Sequence, residues 1–130
     1  MDSKSHKILM IEDDLFLRKV YKDQITRSGF EFAEATNGTE GVNKAKSENP
    51  DLILLDIMLP YKNGFEVLEE LKLDASLKDI PVIILTNLGS ESDIEKGKEL
   101  GAQDYLVKTE ASMKEVIEKI RFHLAAGSKG

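Results

Sequence analysis

A doubly wound α/β domain built on a parallel sheet is the fold this sequence predicts, and three observations predict it. Four short apolar runs, Ile8-Leu9-Met10-Ile11, Leu52-Ile53-Leu54-Leu55, Val82-Ile83-Ile84-Leu85 and Tyr105-Leu106-Val107, are continuous rather than alternating, as in strands buried on both faces of a parallel sheet. Amphipathic helical stripes lie between them. Cap and turn residues separate the two kinds of segment, giving five βα units over 130 residues, a length that suits one domain with its own core.

The first run is followed by a stripe of Leu17, Val20, Tyr21 and Ile25, closed by Gly29, where a left-handed cap is usual. Phe30-Glu31-Phe32-Ala33-Glu34-Ala35 alternates and suits an edge strand, and Asn37-Gly38 and Asn49-Pro50 bracket the second helix. A third helix carries Phe65, Leu68 and Leu71 behind a capping box, Asn63 with Glu66. The fourth, between Ser90 and Gly101, is the thinnest: only Ile94 and Leu100 are core candidates, with Ser92 and Glu95 as its expected box. The fifth carries Met113, Val116, Ile117, Ile120 and Leu124 behind Ser112 and Glu115. Residues 1–6 and 127–130 read as polar tails on a core of about 7–124.

Composition excludes several classes of function. There is no cysteine, so disulfides and thiolate metal sites are out, and a reducing, cytoplasmic setting fits. The net charge of −6, with both signs mixed along the chain, speaks against a nucleic-acid or anionic-membrane surface. No apolar run approaches the roughly 20 residues of a membrane span, and the N-terminus lacks the apolar core of a signal peptide.

The polar residues that interrupt this pattern fall where the strands end. Glu12-Asp13-Asp14 follows the first strand, Asp56 the third, Thr86 closes the fourth and Lys108 the fifth. Ligands of open α/β sheets bind outside the carboxyl ends of the strands at the topological switch point. Each residue has a plain structural reading: Asp13 or Asp14 as a helix cap, Asp56 as a loop residue, Thr86 as a cap, Lys108 as a solvated cation. Four such residues at four core-strand ends favour a shared pocket. Asp13 and Asp56 carboxylates brought close repel unless a cation lies between them, and oxygen-only ligands with room for water suit Mg2+. Such an ion neutralises a transferring phosphoryl group. Lys108 and Thr86 supply donors to its oxygens, and Asp56 is the nucleophile. His6 and His123 read as ordinary surface or packing residues, and Met10 and Met58 as core or wall.

Taken together, the segments Ile8 to Asp14, Pro50 to Pro60, Asn63-Gly64, Pro81 to Thr86 and Gly101 to Lys108 resemble the receiver domains of two-component response regulators over essentially the whole chain. That resemblance implies a flavodoxin-like (βα)5 fold with strand order 2-1-3-4-5. It implies Asp56 as phosphoacceptor, Asp13 as direct Mg2+ ligand, Glu12 as its acidic partner acting through water, and the Met58 backbone carbonyl as a further ligand. It also implies Thr86 as the switch hydroxyl, Tyr105 as an aromatic that turns inward when Thr86 moves, and Lys108 as the phosphate-binding lysine. The donor is a sensor histidine kinase or a phosphotransfer protein, and the face of helix 4, strand 5 and helix 5 controls a downstream protein. Such a chain is not a conventional enzyme, although it catalyses its own phosphorylation and dephosphorylation. No output domain follows Leu124, which fits a stand-alone regulator or a piece of a longer protein.

Three positions depart from the family pattern. Asn87 stands where a small residue is usual, and Glu118 where an arginine pairs with the aspartate matching Asp104 in the DNA-binding branch. Thr109 replaces the usual proline after Lys108. A cis bond to a non-proline costs about 2.5–4 kcal/mol, so the Lys108–Thr109 peptide is expected to be trans. Two other classes fit less well. An aspartate-based phosphohydrolase has a second Asp two places after the nucleophile, where this chain has Met58. A flavin binder needs a Ser/Thr/Gly-rich phosphate loop where this chain has Glu12-Asp13-Asp14.

Overall fold

The computed structural model describes residues 5–127. The tail residues Met1 to Lys4 and Ser128 to Gly130 lie outside the described residues. Ten elements alternate along the chain: β1 (Lys7–Ile11), α1 (Leu15–Arg27), β2 (Glu31–Ala35), α2 (Gly38–Glu48), β3 (Leu52–Leu55), α3 (Gly64–Leu73), β4 (Val82–Thr86), α4 (Glu91–Glu99), β5 (Asp104–Val107) and α5 (Met113–Gly127). All strand pairs are parallel, in the order β2-β1-β3-β4-β5, so the sequence reverses direction across the sheet between β1 and β3.

Strand side chains alternate between two faces, which divides the core in two. Leu9, Ile11, Ile53, Leu55, Val82 and Ile84 pack with Val42 and Ala45 of α2 and Val67, Leu68 and Leu71 of α3. Ile8, Met10, Leu52, Leu54, Ile83 and Leu85 pack on the other face against Tyr21 and Ile25 of α1 and Val116, Ile117 and Ile120 of α5. The continuous apolar runs are therefore demanded by helices on both sides. β2, covered on one edge only, has the mixed burial its alternation predicted.

The caps follow from the side chains available. Asp14 caps α1 by accepting from Leu17 N, and Asn37 caps α2 by accepting from Glu40 N. Asn63 and Glu66 form the full reciprocal box on α3. Gly29 and Gly101 adopt φ of +96° and +106°, the left-handed closure expected after α1 and a second one after α4. Two expectations are corrected. α4 lies in the expected span but is capped by Ser90, not by the box of Ser92 and Glu95: Ser90 Oγ accepts from Asp93 N, so Asp93 takes the third position of the first turn, and Ser92 lies inside the helix. On α1, Val20 is 37% exposed, and the buried face is Arg18, Tyr21 and Ile25. Among the described residues no peptide is cis, so Lys108–Thr109 is trans as expected.

Gly64 brings the β3–α3 loop onto the end of β3. Its N–H donates to the Ile57 carbonyl at 2.8 Å. A Cβ at this position would collide with the Asp56 carbonyl oxygen and come within 2.6 Å of Ile57 Cα. Only glycine lets helix α3 start so close to the residue that ends β3.

Candidate functional site

The ends of β1, β3, β4 and β5 bring Glu12, Asp13, Asp56, Thr86 and Lys108 to one side of the sheet, on either flank of the β1/β3 reversal. Glu12 and Asp56 are almost fully buried, Thr86 is fully buried and Asp13 is exposed at the mouth. One carboxylate oxygen from each of Glu12, Asp13 and Asp56 lies within 4.8 Å of the others. The Lys108 ammonium reaches between them, 2.5 Å from Glu12 Oε1 and 2.9 Å from Asp56 Oδ2. Two buried carboxylates thus share one cation, with the Asp13 carboxylate beside them.

Backbone groups aim these side chains. Met58 N donates to Asp56 Oδ1 at 3.1 Å, which fixes the Asp56 carboxylate and brings the Met58 backbone to the pocket. Asp14 N donates to Glu12 Oε2 at 3.1 Å. Lys108 N donates to the Thr86 carbonyl at 2.8 Å, holding the start of the β5–α5 loop against the end of β4. Burial raises the Glu12 pKa above the ordinary carboxylate value; the Lys108 hydrogen bond opposes this and the Asp56 charge adds to it. For Lys108 burial is also the largest influence and pulls downward, but its bonds to Glu12 and Asp56 together outweigh it and leave the pKa raised. The pocket therefore keeps a charged lysine among more negative charge than it can match.

Tyr105 already faces inward. It is 8% exposed, and its hydroxyl donates to the Leu88 carbonyl at 2.6 Å. Burial pushes its pKa up to about 12, so the hydroxyl remains a donor. The ring fits beside Gly97 of α4, where a Cβ would lie 2.9 Å from Tyr105 Cδ2. Thr86 Oγ1 meets Leu88 N at 3.5 Å, so Leu88, in the loop after β4, links Thr86 to Tyr105 of β5.

Three features escaped the sequence. Arg18 is buried and touches the site from beneath; an arginine three places before Tyr21 and seven before Ile25, on the stripe that packs inward, is the pattern that could have revealed it. His123 lies 2.9 Å from Asp104 Oδ2 and Lys119 3.6 Å, so Asp104 is paired within the chain although Glu118 replaces the family's arginine. His6 and His123, distant in sequence, both line a cavity of about 260 Å³ at the opposite end of the sheet, with Pro50, Pro81 and Leu124 in its wall. Asp14 is the helix cap rather than a member of the acidic cluster.

Comparison with known proteins agrees with this geometry. The family model of the response regulator receiver domain matches residues 8–121. "Probable transcriptional regulator ycf27" of Pyropia yezoensis is 36% identical over 129 residues, 99% of this chain and 51% of that protein. The phosphate regulon transcriptional regulatory protein PhoB of Escherichia coli is 38% identical over 117 residues, 90% of this chain and 51% of that protein. The chain spans about half the length of these curated relatives. The CheY-like response regulator receiver domain protein of Methanospirillum hungatei has a TM-score of 0.89 at 27% identity, covering 97% of this chain and 98% of its own. With the family matched over residues 8–121 and the fold shared from end to end, the chain belongs to the response regulator receiver domains, the switch modules of two-component signalling.

Proposed function

We propose that the chain is a single receiver domain, folded over about residues 7–124, that accepts a phosphoryl group on Asp56. The observation that carries this reading is the convergence of Asp56 Oδ2 and Glu12 Oε1 on the Lys108 ammonium, with Asp13 at the open mouth. An oxygen of Asp56 attacks phosphorus, the bond from phosphorus to the donor histidine nitrogen breaks, and its electron pair stays with the imidazole. The product is an acyl phosphate.

The donor set fits Mg2+: hard oxygen ligands, within reach of one another, carrying more negative charge than Lys108 neutralises. Asp13, Glu12 and Asp56 would hold the ion with the Met58 carbonyl, Glu12 acting through water. Bound there, it offsets charge on the transferring oxygens. Lys108 stays beside the carboxylate and supplies an ammonium to a phosphoryl oxygen, and Thr86 supplies a hydroxyl. The chain catalyses its own phosphorylation and dephosphorylation without being a conventional enzyme.

The donor partner is a sensor histidine kinase or phosphotransfer protein in the cytoplasm. The output is a changed α4–β5–α5 face, with Thr86 and Tyr105 as its switch residues, read by a downstream protein. A net charge of −6 supports a protein partner over direct contact with nucleic acid or membrane.

Incubation with acetyl phosphate and Mg2+, read by intact mass, tests the assignment. The expected result is a gain of one phosphoryl group in the wild-type chain and in Asp51→Asn, and none in Asp56→Asn. Full modification of Asp56→Asn would overturn it.

A further inference from the structure

We propose that Arg18 is a positioning residue for the acidic pocket: by holding the backbone carbonyl of Glu12 it fixes the peptide that carries Asp13 and so sets how tightly the pocket takes a divalent cation. This rests on the reading of the pocket as a Mg2+ site. Arg18 is 8% exposed on the buried face of α1. A guanidinium taken out of water is costly unless its donors are used, and its bonds lead to the site and its frame. Nη1 donates to the Glu12 carbonyl and Nε to Glu34 Oε1, each at 2.9 Å.

Glu12 lies one residue past the end of β1. Its N–H still donates to the Ala35 carbonyl at 3.0 Å, and its carboxylate oxygens are taken by Lys108 and Asp14 N. Its carbonyl is left for a side chain, and Arg18 supplies the donor. The Glu12–Asp13 peptide plane is fixed by that bond, and the direction of the Asp13 side chain follows from the plane. Glu34 holds the other arm of the fork against β2, so the guanidinium cannot swing away. A lysine has one ammonium on a flexible stem and cannot reproduce a rigid fork that spans two acceptors.

Groups behind metal ligands typically change metal affinity about 10–100-fold when removed. Arg18→Met keeps the stem and removes both donors. Calorimetric Mg2+ titration of the full chain is expected to show a Kd raised about 10-fold. The phosphorylation rate at saturating Mg2+ should stay within about twofold, because the loss lies in binding rather than in the transfer step. Arg18→Lys should recover part of the affinity. A merely structural role would lower the melting temperature and leave the Mg2+ Kd where it was. If Arg18→Met fails to fold, Glu34→Gln loosens the same fork and should raise the Kd about two- to threefold, a smaller loss because the Glu12 bond remains. An unchanged Kd in a folded Arg18→Met, or in Glu34→Gln where that variant replaces it, overturns the proposal, as does a wild-type chain that binds no Mg2+. A wild-type chain that binds Mg2+ with this dependence but takes no phosphoryl group on Asp56 overturns the phosphoacceptor reading and leaves the role of Arg18 standing.

Discussion

A single ammonium serves two buried carboxylates while a third, Asp13, faces solvent beside them. Removing one negative charge should therefore relieve repulsion, and adding a divalent cation should do the same. Asp13→Asn is expected to raise the melting temperature of the metal-free chain by about 3–6 °C, the equivalent of about 1 kcal/mol in a domain of this size. Millimolar Mg2+ should raise that of the wild type and have little effect on the variant. Identical melting curves in all four conditions would count against the pocket as a charge cluster. Asp104 behaves oppositely. Burial, the largest influence on it, pushes upward, yet His123, Tyr105 N–H and Lys119 together hold its pKa below the ordinary 3.8. A depressed carboxylate contributes stability above its unfolded pKa and loses it as the pH falls through the folded one. Asp104→Asn should thus melt lower than wild type at neutral pH, and the gap should close as the pH drops below 3.8. A gap that persists in acid would assign the loss to packing instead. Residue identity at strand ends made Asp13, Asp56, Thr86 and Lys108 legible from sequence. The partners of Asp104 were not, because Lys119 and His123 sit on the turns around Glu118 and only the docking of α5 selects which of them faces β5.

Elements with deep anchors were legible throughout, whereas the thinly anchored one was legible in its extent but not in its cap. The continuous runs of β1, β3 and β4 and the stripes of α3 and α5 mark surfaces covered on both sides, and periodicity reports that directly. α4 has few such marks: Gly97 is its one buried residue, with Ile94 and Leu100 partly buried beside the core. Several serines compete as its cap, which is why its start fell two residues early relative to the expected box. The glycine that weakens the pattern is also what the packing requires. A Cβ at Gly97 would lie 2.7 Å from Ile84 Cδ1 and 2.9 Å from Tyr105 Cδ2. Gly97→Ala gains about 0.5–1 kcal/mol of helix propensity, but overpacking against two buried side chains costs about 1–3 kcal/mol. Ile84 is locked in the central sheet, whereas Tyr105 is held by one hydrogen bond to the Leu88 carbonyl. The expected outcome is a Tyr105 ring displaced towards solvent with the fold retained. Tyrosine ring chemical shifts and accessibility to a neutral quencher would report it; an unmoved ring would mean that α4 had shifted instead.

At the scale of the whole molecule, the site and the face proposed to read it are joined by a short covalent and hydrogen-bonded route. Lys108 N holds the Thr86 carbonyl, Leu88 N meets Thr86 Oγ1, and the Tyr105 hydroxyl holds the Leu88 carbonyl. The three central strands are buried on both faces and resist deformation. α1 and α5 are bound by one core cluster and α2 and α3 by the other, so a change at Asp56 meets least resistance along the β4–α4 loop and α4. A phosphoryl group can shift this equilibrium only by binding one arrangement better than another. With Tyr105 buried and its hydroxyl bonded to the Leu88 carbonyl, the effect expected of a phosphoryl group is a narrowing of the population around this arrangement rather than a new fold. Beryllofluoride with Mg2+, which mimics the phosphoryl group at an aspartate, should then slow amide exchange chiefly over residues 87–101 and 103–108. Residues 30–49 carry β2, on the far side of β1, and all of α2, outside that route, and should exchange as before. Exchange that changes only over 30–49, or that quickens throughout α4, would show that the site signals through the opposite edge or by loosening the helix. The Asp56→Asn chain, which lacks the carboxylate that beryllofluoride must join, should show neither change, so that a response surviving in it would be an effect of the additives and not of the site.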